Sequence, residues 1–399
     1  MVRPLGDGLR FDRHLLPLIL FVAALGFSIA RTTPLRAQCD GCCHQQSACG
    51  CDACDSVFAE RLDRFFTRSY CLSPAERRGL ADKHAPAGLM GDHVHHQGEM
   101  MFEYRYMNMY MDDNLLGTNT LSDAQALTVG QALGTNFAAT PTQMTMEMHM
   151  IHAMYGLTDN TTLYVMPMFS SLTMDHIRGP MNPAPQGPGS PFTTHNSGFD
   201  DMILGALIKL YEGDRDELVF NLGCSVPTGY LDRVSSAPTG GLVELELPYP
   251  MRRGSGTFDA RPGLTYKSYF ERISVGGQFQ TDLPIGRNDE GYSVGNEWRL
   301  NGWISWLFTD RLAFSYRTEF LWRENFDGAD ADLVPAQIST ARPDFRGGDW
   351  INFGYGVMAL LGEGHLLNFE AVHPVYQNVD GIQLESDWWF FASWSKAFD

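Results

Sequence analysis

Beyond residue 98 apolar and polar residues alternate for most of the chain, with the period of extended strands whose two faces meet different surroundings. In 296–308, NEWRLNGWISWLF, the side chains of Trp298, Leu300, Ile304, Trp306 and Phe308 fall on one face. Glu297, Arg299, Asn301 and Ser305 fall on the other, and Trp303 and Leu307 break the rule. The next run repeats the pattern, with Leu312, Phe314, Tyr316, Phe320 and Trp322 against Arg311, Ser315, Arg317 and Glu319. Only Thr309 and Asp310 separate the two runs, which predicts a tight hairpin. The same reading predicts twelve strands, near 98–111, 143–155, 161–172, 199–211, 215–227, 256–267, 271–281, 294–308, 311–322, 350–361, 365–375 and 386–398.

The connections between these strands sort by parity. The odd ones are long (112–142, 173–198, 228–255, 282–293, 323–349 and 376–385) and the even ones are tight turns. A soluble sandwich has no physical reason for such sorting, whereas a bacterial outer-membrane barrel has short turns on its periplasmic side and longer loops outside. The expected fold is therefore all-β, a twelve-stranded antiparallel transmembrane β-barrel. Both chain ends would lie in the periplasm. The last strand, DWWFFASWSKAFD, places Trp388, Phe390, Trp394 and Phe398 on one face, as lipid contact and aromatic girdles require. A terminal amphipathic strand with a late Phe also resembles the signal read by the barrel-assembly machinery, so that machinery and the lipid bilayer are expected partners.

The first part of the chain obeys a different pattern. Arg3, Arg10 and Arg13 precede the apolar run 15–30, which is too short to span a bilayer, and the small residue Ala37 follows as the cleavage point. Residues 1–37 are expected to be a secretory signal peptide, 38–87 a Cys-rich periplasmic segment carrying a short amphipathic helix, and 88–399 the barrel. Seven of the eight cysteines fall between Cys39 and Cys71, and the Cys39/Cys42 and Cys51/Cys54 pairs have CxxC spacing. Such spacing can hold zinc or copper, and in an oxidising compartment it equally suits disulfides.

Composition narrows the function. Charged residues make up 19% of the chain against roughly 25% in soluble domains, and the net charge is −18. Such a chain repels phosphate backbones, so nucleic acid is not an expected partner. No nucleophile elbow, zinc-protease, P-loop or dinucleotide motif stands in a fitting context, and the chain is not expected to be an enzyme.

The polar face predicted to line the lumen collects Glu103, Arg105, Glu147, His149, Asp259, Arg261, Lys267, Glu297, Arg299, Arg317, Glu319 and Glu370. Their signs are mixed, so they either pair across a narrow lumen or select a small-molecule solute. Met144, Met146, Met148 and Met150 alternate with Glu147 and His149 and are expected to face lipid. His93, His95 and His96 form an HxHH run at the barrel entrance. With Cys39, Cys42, Cys51 and Cys54 they make a candidate set for copper or zinc. The Gly/Pro-rich loop 173–198 is the candidate lid or plug.

The runs MGDHVHHQGEMMFEYRYMNM, MTMEMHMIHAMYGLTDNTTLYVMPMF, SGFDDMILGALIKLYEGDRDELVFNLGCSVPTG, YPMRRGSGTFDARPGLTY and VYQNVDGIQLESDWWFFASW occur in order across roughly 88–399. Together they resemble the outer-membrane β-barrel "transporter" family, also named after a phenol meta-pathway degradation protein. The resemblance implies an outer-membrane channel for small, aromatic or hydrophobic solutes, and it supplies no catalytic residues. The alternative function is metal handling, with copper bound by the Cys, His and Met clusters.

Overall fold

A computed structural model describes residues 79–129, 137–213, 215–270 and 272–398. The signal-peptide reading and residues 38–78 of the Cys-rich segment, with Cys39, Cys42, Cys51 and Cys54, lie outside the described residues, whereas 79–87, read as part of that periplasmic segment, are described and contact the barrel wall. No helix among the described residues is long and apolar enough to cross a membrane.

The strands are β1 (Met100–Gly117), β2 (Ala139–Thr158), β3 (Thr161–Met166), β4 (Met168–Arg178), β5 (Pro191–Phe199), β6 (Met202–Glu212) and β7 (Asp216–Val226). They continue as β8 (Phe258–Phe270), β9 (Ile273–Ile285), β10 (Glu297–Thr309), β11 (Leu312–Arg323), β12 (Gly348–Leu360) and β13 (Leu366–Phe398). All neighbours are antiparallel. The hydrogen-bonded order β1–β13–β12–β11–β10–β9–β8–β7–β6–β3–β2 returns to β1, because β1 also pairs with β2. The ring is closed, so no strand within it has an unpaired row of N–H and C=O groups to expose to lipid.

Eleven continuous strands make the ring, rather than the twelve predicted. The difference lies in β13, where the predicted strands 365–375 and 386–398 merge. Residues 366–379 pair with β12 and residues 379–398 with β1. Gln377 donates to the carbonyl of Ser386 and accepts from its N–H (both 2.9 Å), and Gly381 sits between them at φ +70°. The loop expected at 376–385 is thus a tight turn whose residues stay in the ladder on both sides.

β4 and β5 stand outside the ring. β4 continues the line of β3 past Pro167 along the upper part of β2, and β5 pairs with β4. The segment read as a lid, 173–198, is therefore mostly a hairpin that raises the wall. β1 and β2 likewise run on to Gly117 and from Ala139, beyond their predicted ends. The helix α1 (Asp123–Val129) lies in the connection between them and packs Ala126 and Leu127 against Phe137, Phe345 and Ile382.

The strand alternation follows the predicted two faces. Phe102, Tyr104, Ile151, Leu163, Leu204, Leu222, Trp306, Phe314, Tyr355, Phe369, Trp388 and Trp394 are exposed on the outside, an extent of apolar surface that soluble monomers rarely carry. Cys224 shares this outward parity with Leu222 and is half-buried. The positions between them point into the lumen. The two breaks in the pattern, Trp303 and Leu307, are inward and buried.

Candidate functional site: a plugged lumen with two unlike walls

Residues 79–98 enter the short-turn half of the barrel, bend near Gly88 and leave again. The segment is anchored at one end where the Ala81 N–H donates to the Asp310 carbonyl (3.0 Å), in the β10–β11 turn. At the other end Gly98 and Gly156 are linked through the Gly98 N–H and the Gly156 carbonyl (2.8 Å). A Cβ on Gly156 would lie 1.8 Å from the His96 carbonyl oxygen, so only glycine lets the chain pass there.

Inside, the segment has no regular structure beyond the single turn Ala81–Lys83, so its backbone must find partners on the wall. At the bend, the Gly88 N–H donates to Glu370 (2.5 Å) and the Leu89 carbonyl accepts from Arg105 (3.0 Å). Gln278 donates to the Met90 carbonyl (2.7 Å), Thr265 to that of Gly91 (3.3 Å) and Asn368 to that of Ala85 (3.1 Å). The His95 N–H donates to Thr162 (2.8 Å). A Cβ on Gly88 would meet Arg317 at 2.5 Å and Glu370 at 2.8 Å, so the tip fits a slot without a side chain. Each such bond contributes about 1 kcal/mol net, and leaving one unmade inside would cost more than that. The segment is a fitted plug.

Most of the predicted lumen residues do face inward, and they pair. Arg317 is held by Glu370 (2.7 Å), Glu319 (3.1 Å) and Asn301 (2.9 Å), and its side chain is only 2% exposed. Arg105 pairs with Glu103 (2.9 Å), and Arg261 with Asp282 on the neighbouring strand. Glu297 takes both Arg299 and Arg323, the latter at 2.6 Å. Asp259 accepts from Thr257 and Ser255 (2.5 and 2.9 Å). Lys267 reaches Asp92 (3.3 Å) and Glu217 (3.5 Å), tying the plug to β8.

Glu147 and His149 are corrections. β1 and β2 pair Arg105 with Met150, Met107 with Met148 and Met111 with Met144, so the methionines take the inward positions. Glu147 and His149 consequently point outward. Glu147 accepts from Tyr106 (2.8 Å), and His149 sits among Tyr104, Tyr106 and Phe169 and shares a hydrogen bond with Tyr104 (2.7 Å). The Met ladder expected to face lipid lines the lumen instead. Polarity misassigned this strand because the lumen beside it is apolar.

The methionine surface is continuous. Met144, Leu172 and Met174 pack with Leu247 and Met251 of the loop 227–257 at the long-loop end. Met146 joins them to Met107, Met150, Met166 and Ile203, which also touch Met90 of the plug. Tyr164 then leads to Met101, Met154, Leu207 and Val219 around Val94. Unbranched, polarizable Met side chains adapt to irregular apolar partners better than branched ones do.

The HxHH run divides. His93 and His95 are drawn inside, while His96 is 58% exposed and faces Asp159 (3.3 Å). His84, absent from the sequence-based set, joins His93 and Asp92. Burial, reinforced by His93 and Lys83, holds the His84 imidazole well below the usual histidine range. Burial opposes the charge on Asp92, but Lys267 and His93 together outweigh it and hold the carboxyl well below its ordinary value. The hydrogen bond from His95 brings Glu99 down to about 2.

The family model described as "Putative MetA-pathway of phenol degradation" matches residues 173–380, just over half of the chain. The COG4313 outer membrane channel from Pseudomonas putida F1 superposes with a TM-score of 0.51 at 14% identity, over 76% of this chain and 97% of that one. The Pseudomonas putida toluene transporter TodX gives a TM-score of 0.38 at 10% identity, over 75% of this chain and 89% of that one. No curated protein matches the sequence.

Proposed function

We propose, from the premise that the chain belongs to this phenol-degradation family, that it is an outer-membrane channel for small apolar or aromatic solutes. The observation that carries the reading is the unbroken methionine surface between the long-loop end and the plug. A solute such as a phenol can slide along thioethers without giving up strong hydrogen bonds, while the ion-paired wall opposite offers its hydroxyl an alternative partner. The similarity in fold to a protein named as an outer membrane channel supports the same placement. In this reading the short turns face the periplasm, and the two arms of β13 cross separately. Twelve crossings then bring the chain back to the side where it entered.

Residues 79–98 close the periplasmic half, so solute passage requires the plug to shift. The plug is held by hydrogen bonds, by the Asp92–Lys267 ion pair and by the apolar contacts of Met90 and Val94, so displacement must exchange the polar contacts for water and strip those two side chains from the wall. The test is flux into proteoliposomes. A phenol-sized aromatic should enter faster than glycerol, which is close to phenol in mass, and deletion of residues 79–98 should raise ionic conductance in planar bilayers. Equal rates for both solutes, or an unchanged conductance after deletion, would refute the reading.

A further inference from the structure

Solute passage makes no use of the imidazoles buried in the plug. His84 stacks edge-on against His93 at 4.3 Å between ring centroids, and His93 against His95 at 4.8 Å. One ligand atom each from His84, Asp92 and His93 lie within 4.8 Å of one another. The Nδ1 atoms of His93 and His95 are engaged by carboxylates, Asp92 at 2.8 Å and Glu99 at 3.1 Å. Their Nε2 atoms are buried and have no hydrogen-bond partner, and the His95 side chain is only 4% exposed. A cavity of about 20 Å³, large enough for one ion or one water, lies against His84, Asp92, His93, Glu103 and His152.

This is the arrangement by which a carboxylate fixes the tautomer of a histidine and leaves Nε2 free for a metal. Imidazole with carboxylate suits zinc and copper(II), whereas calcium and magnesium demand oxygen donors. Lys267 stands 3.3 Å from Asp92 and opposes a cation, but it is shared with Glu217 at 3.5 Å, so the group of three carries a net negative charge.

We propose that the plug holds one divalent transition-metal ion of the zinc or copper(II) type, bound by His84 and by Nε2 of His93, with His95 beside them and Asp92 behind His93 as its outer-shell carboxylate. His84 lies on the inbound limb and the others on the outbound limb, so the ion staples the two limbs across the bend. Binding of this kind is independent of whether solute passes, and a failure of the solute reading would leave it standing.

The test uses the full chain in detergent, stripped with a chelator and titrated with Zn²⁺ or Cu²⁺ alone. A background in which Cys39, Cys42, Cys43, Cys49, Cys51, Cys54 and Cys71 are serine removes thiolate binding. The parent should take up one equivalent, with nitrogen hyperfine structure in the Cu²⁺ spectrum. His84→Ala with His93→Ala should abolish uptake, and Asp92→Asn, which removes the carboxylate behind His93, should weaken it about 10-fold, as loss of an outer-shell carboxylate does. The proposal is overturned if the parent binds no nitrogen-coordinated ion, its cavity holding water alone, or if the double variant binds as the parent does. The parent spectrum needs no substitution, so a variant that misfolds does not shield the idea.

Discussion

The wall formed by β1, β2, β3 and β6 fills its share of the lumen with Met101, Met107, Met144, Met150, Met154, Met166, Ile203 and Leu207. Across the lumen, β8 to β12 present Asp259, Arg261, Lys267, Glu297, Arg317 and Glu319. Both walls are buried, and they satisfy burial in opposite ways. A methionine needs only contact, so its wall is tolerant and adaptable. An ion needs a partner of opposite sign with the remaining hydrogen-bond positions filled. That requirement accounts for the web around Arg317 and for the backbone groups of the plug being drawn into it at Glu370. The plug meets the apolar wall through Met90 and Val94 and the polar wall through its peptide groups.

The sharpest way to separate the walls is to remove one ion. Glu370→Ala leaves Arg317 buried with Glu319 as its one remaining carboxylate, and it also strands the Gly88 N–H. Breaking a buried pair in this way costs about 3–5 kcal/mol. Tryptophan fluorescence during urea unfolding in lipid vesicles measures the loss. Glu370→Gln keeps the shape and one acceptor, enough for Arg317 or for the Gly88 N–H but not for both, and should lose less. Equal losses for the two variants would mean that the carboxylate charge alone holds this wall and that the retained shape and amide hydrogen bond add nothing.

The methionine wall should respond to volume alone. Met150→Ala opens a cavity and is expected to cost about 2–5 kcal/mol, while Met150→Leu, close to it in volume, should stay under about 1.5 kcal/mol. The same unfolding measurement decides between them. Were Met150→Leu as damaging as Met150→Ala, the thioether would be making a specific contact, and the picture of a tolerant surface would be wrong.

The difference between the walls also explains which parts of the sequence were legible. Strand periodicity located nearly every wall segment, because lipid forces one face to be apolar whatever the other face does. It assigned Asp259, Arg261, Glu297, Arg317 and Glu370 to the lumen because there the two faces differ in polarity. On β2 the inward face, with its methionines, is the more apolar one, and the rule that polar residues point inward reversed Glu147 and His149. The register with β1 settles that strand, and register is a long-range property. The arms of β13 were placed correctly but counted apart, since no local pattern says that the turn at Gly381 stays within the ladder. The plug has no periodicity at all. Its one local sign is the run of small residues Ala81, Ala85, Ala87, Gly88 and Gly91 ahead of β1, a composition that lets backbone fit a narrow lumen.

The smallest effect is expected at the rim, where the loops of the two walls meet. The loop 227–257 lays Leu247 and Met251 on the methionine wall, while the loop 286–296 rises from β9 on the polar side. Asp232 of the first shares a hydrogen bond with Glu290 of the second, and that bond, with burial adding to it, pushes Glu290 up to about 7. A carboxyl that is easier to protonate in the folded loops than when free stabilises their contact most at acidic pH. The contribution is complete below the ordinary value of 4.5 and fades as pH rises through about 7, when both groups are charged and repel. Hydrogen exchange in 286–296, corrected for the intrinsic pH dependence of the rate, should therefore be faster at pH 8 than at pH 5. Glu290→Gln donates at every pH and should flatten the profile. A profile that survives this substitution would assign the loosening to another group, and the rim would then no longer join the two walls through this pair.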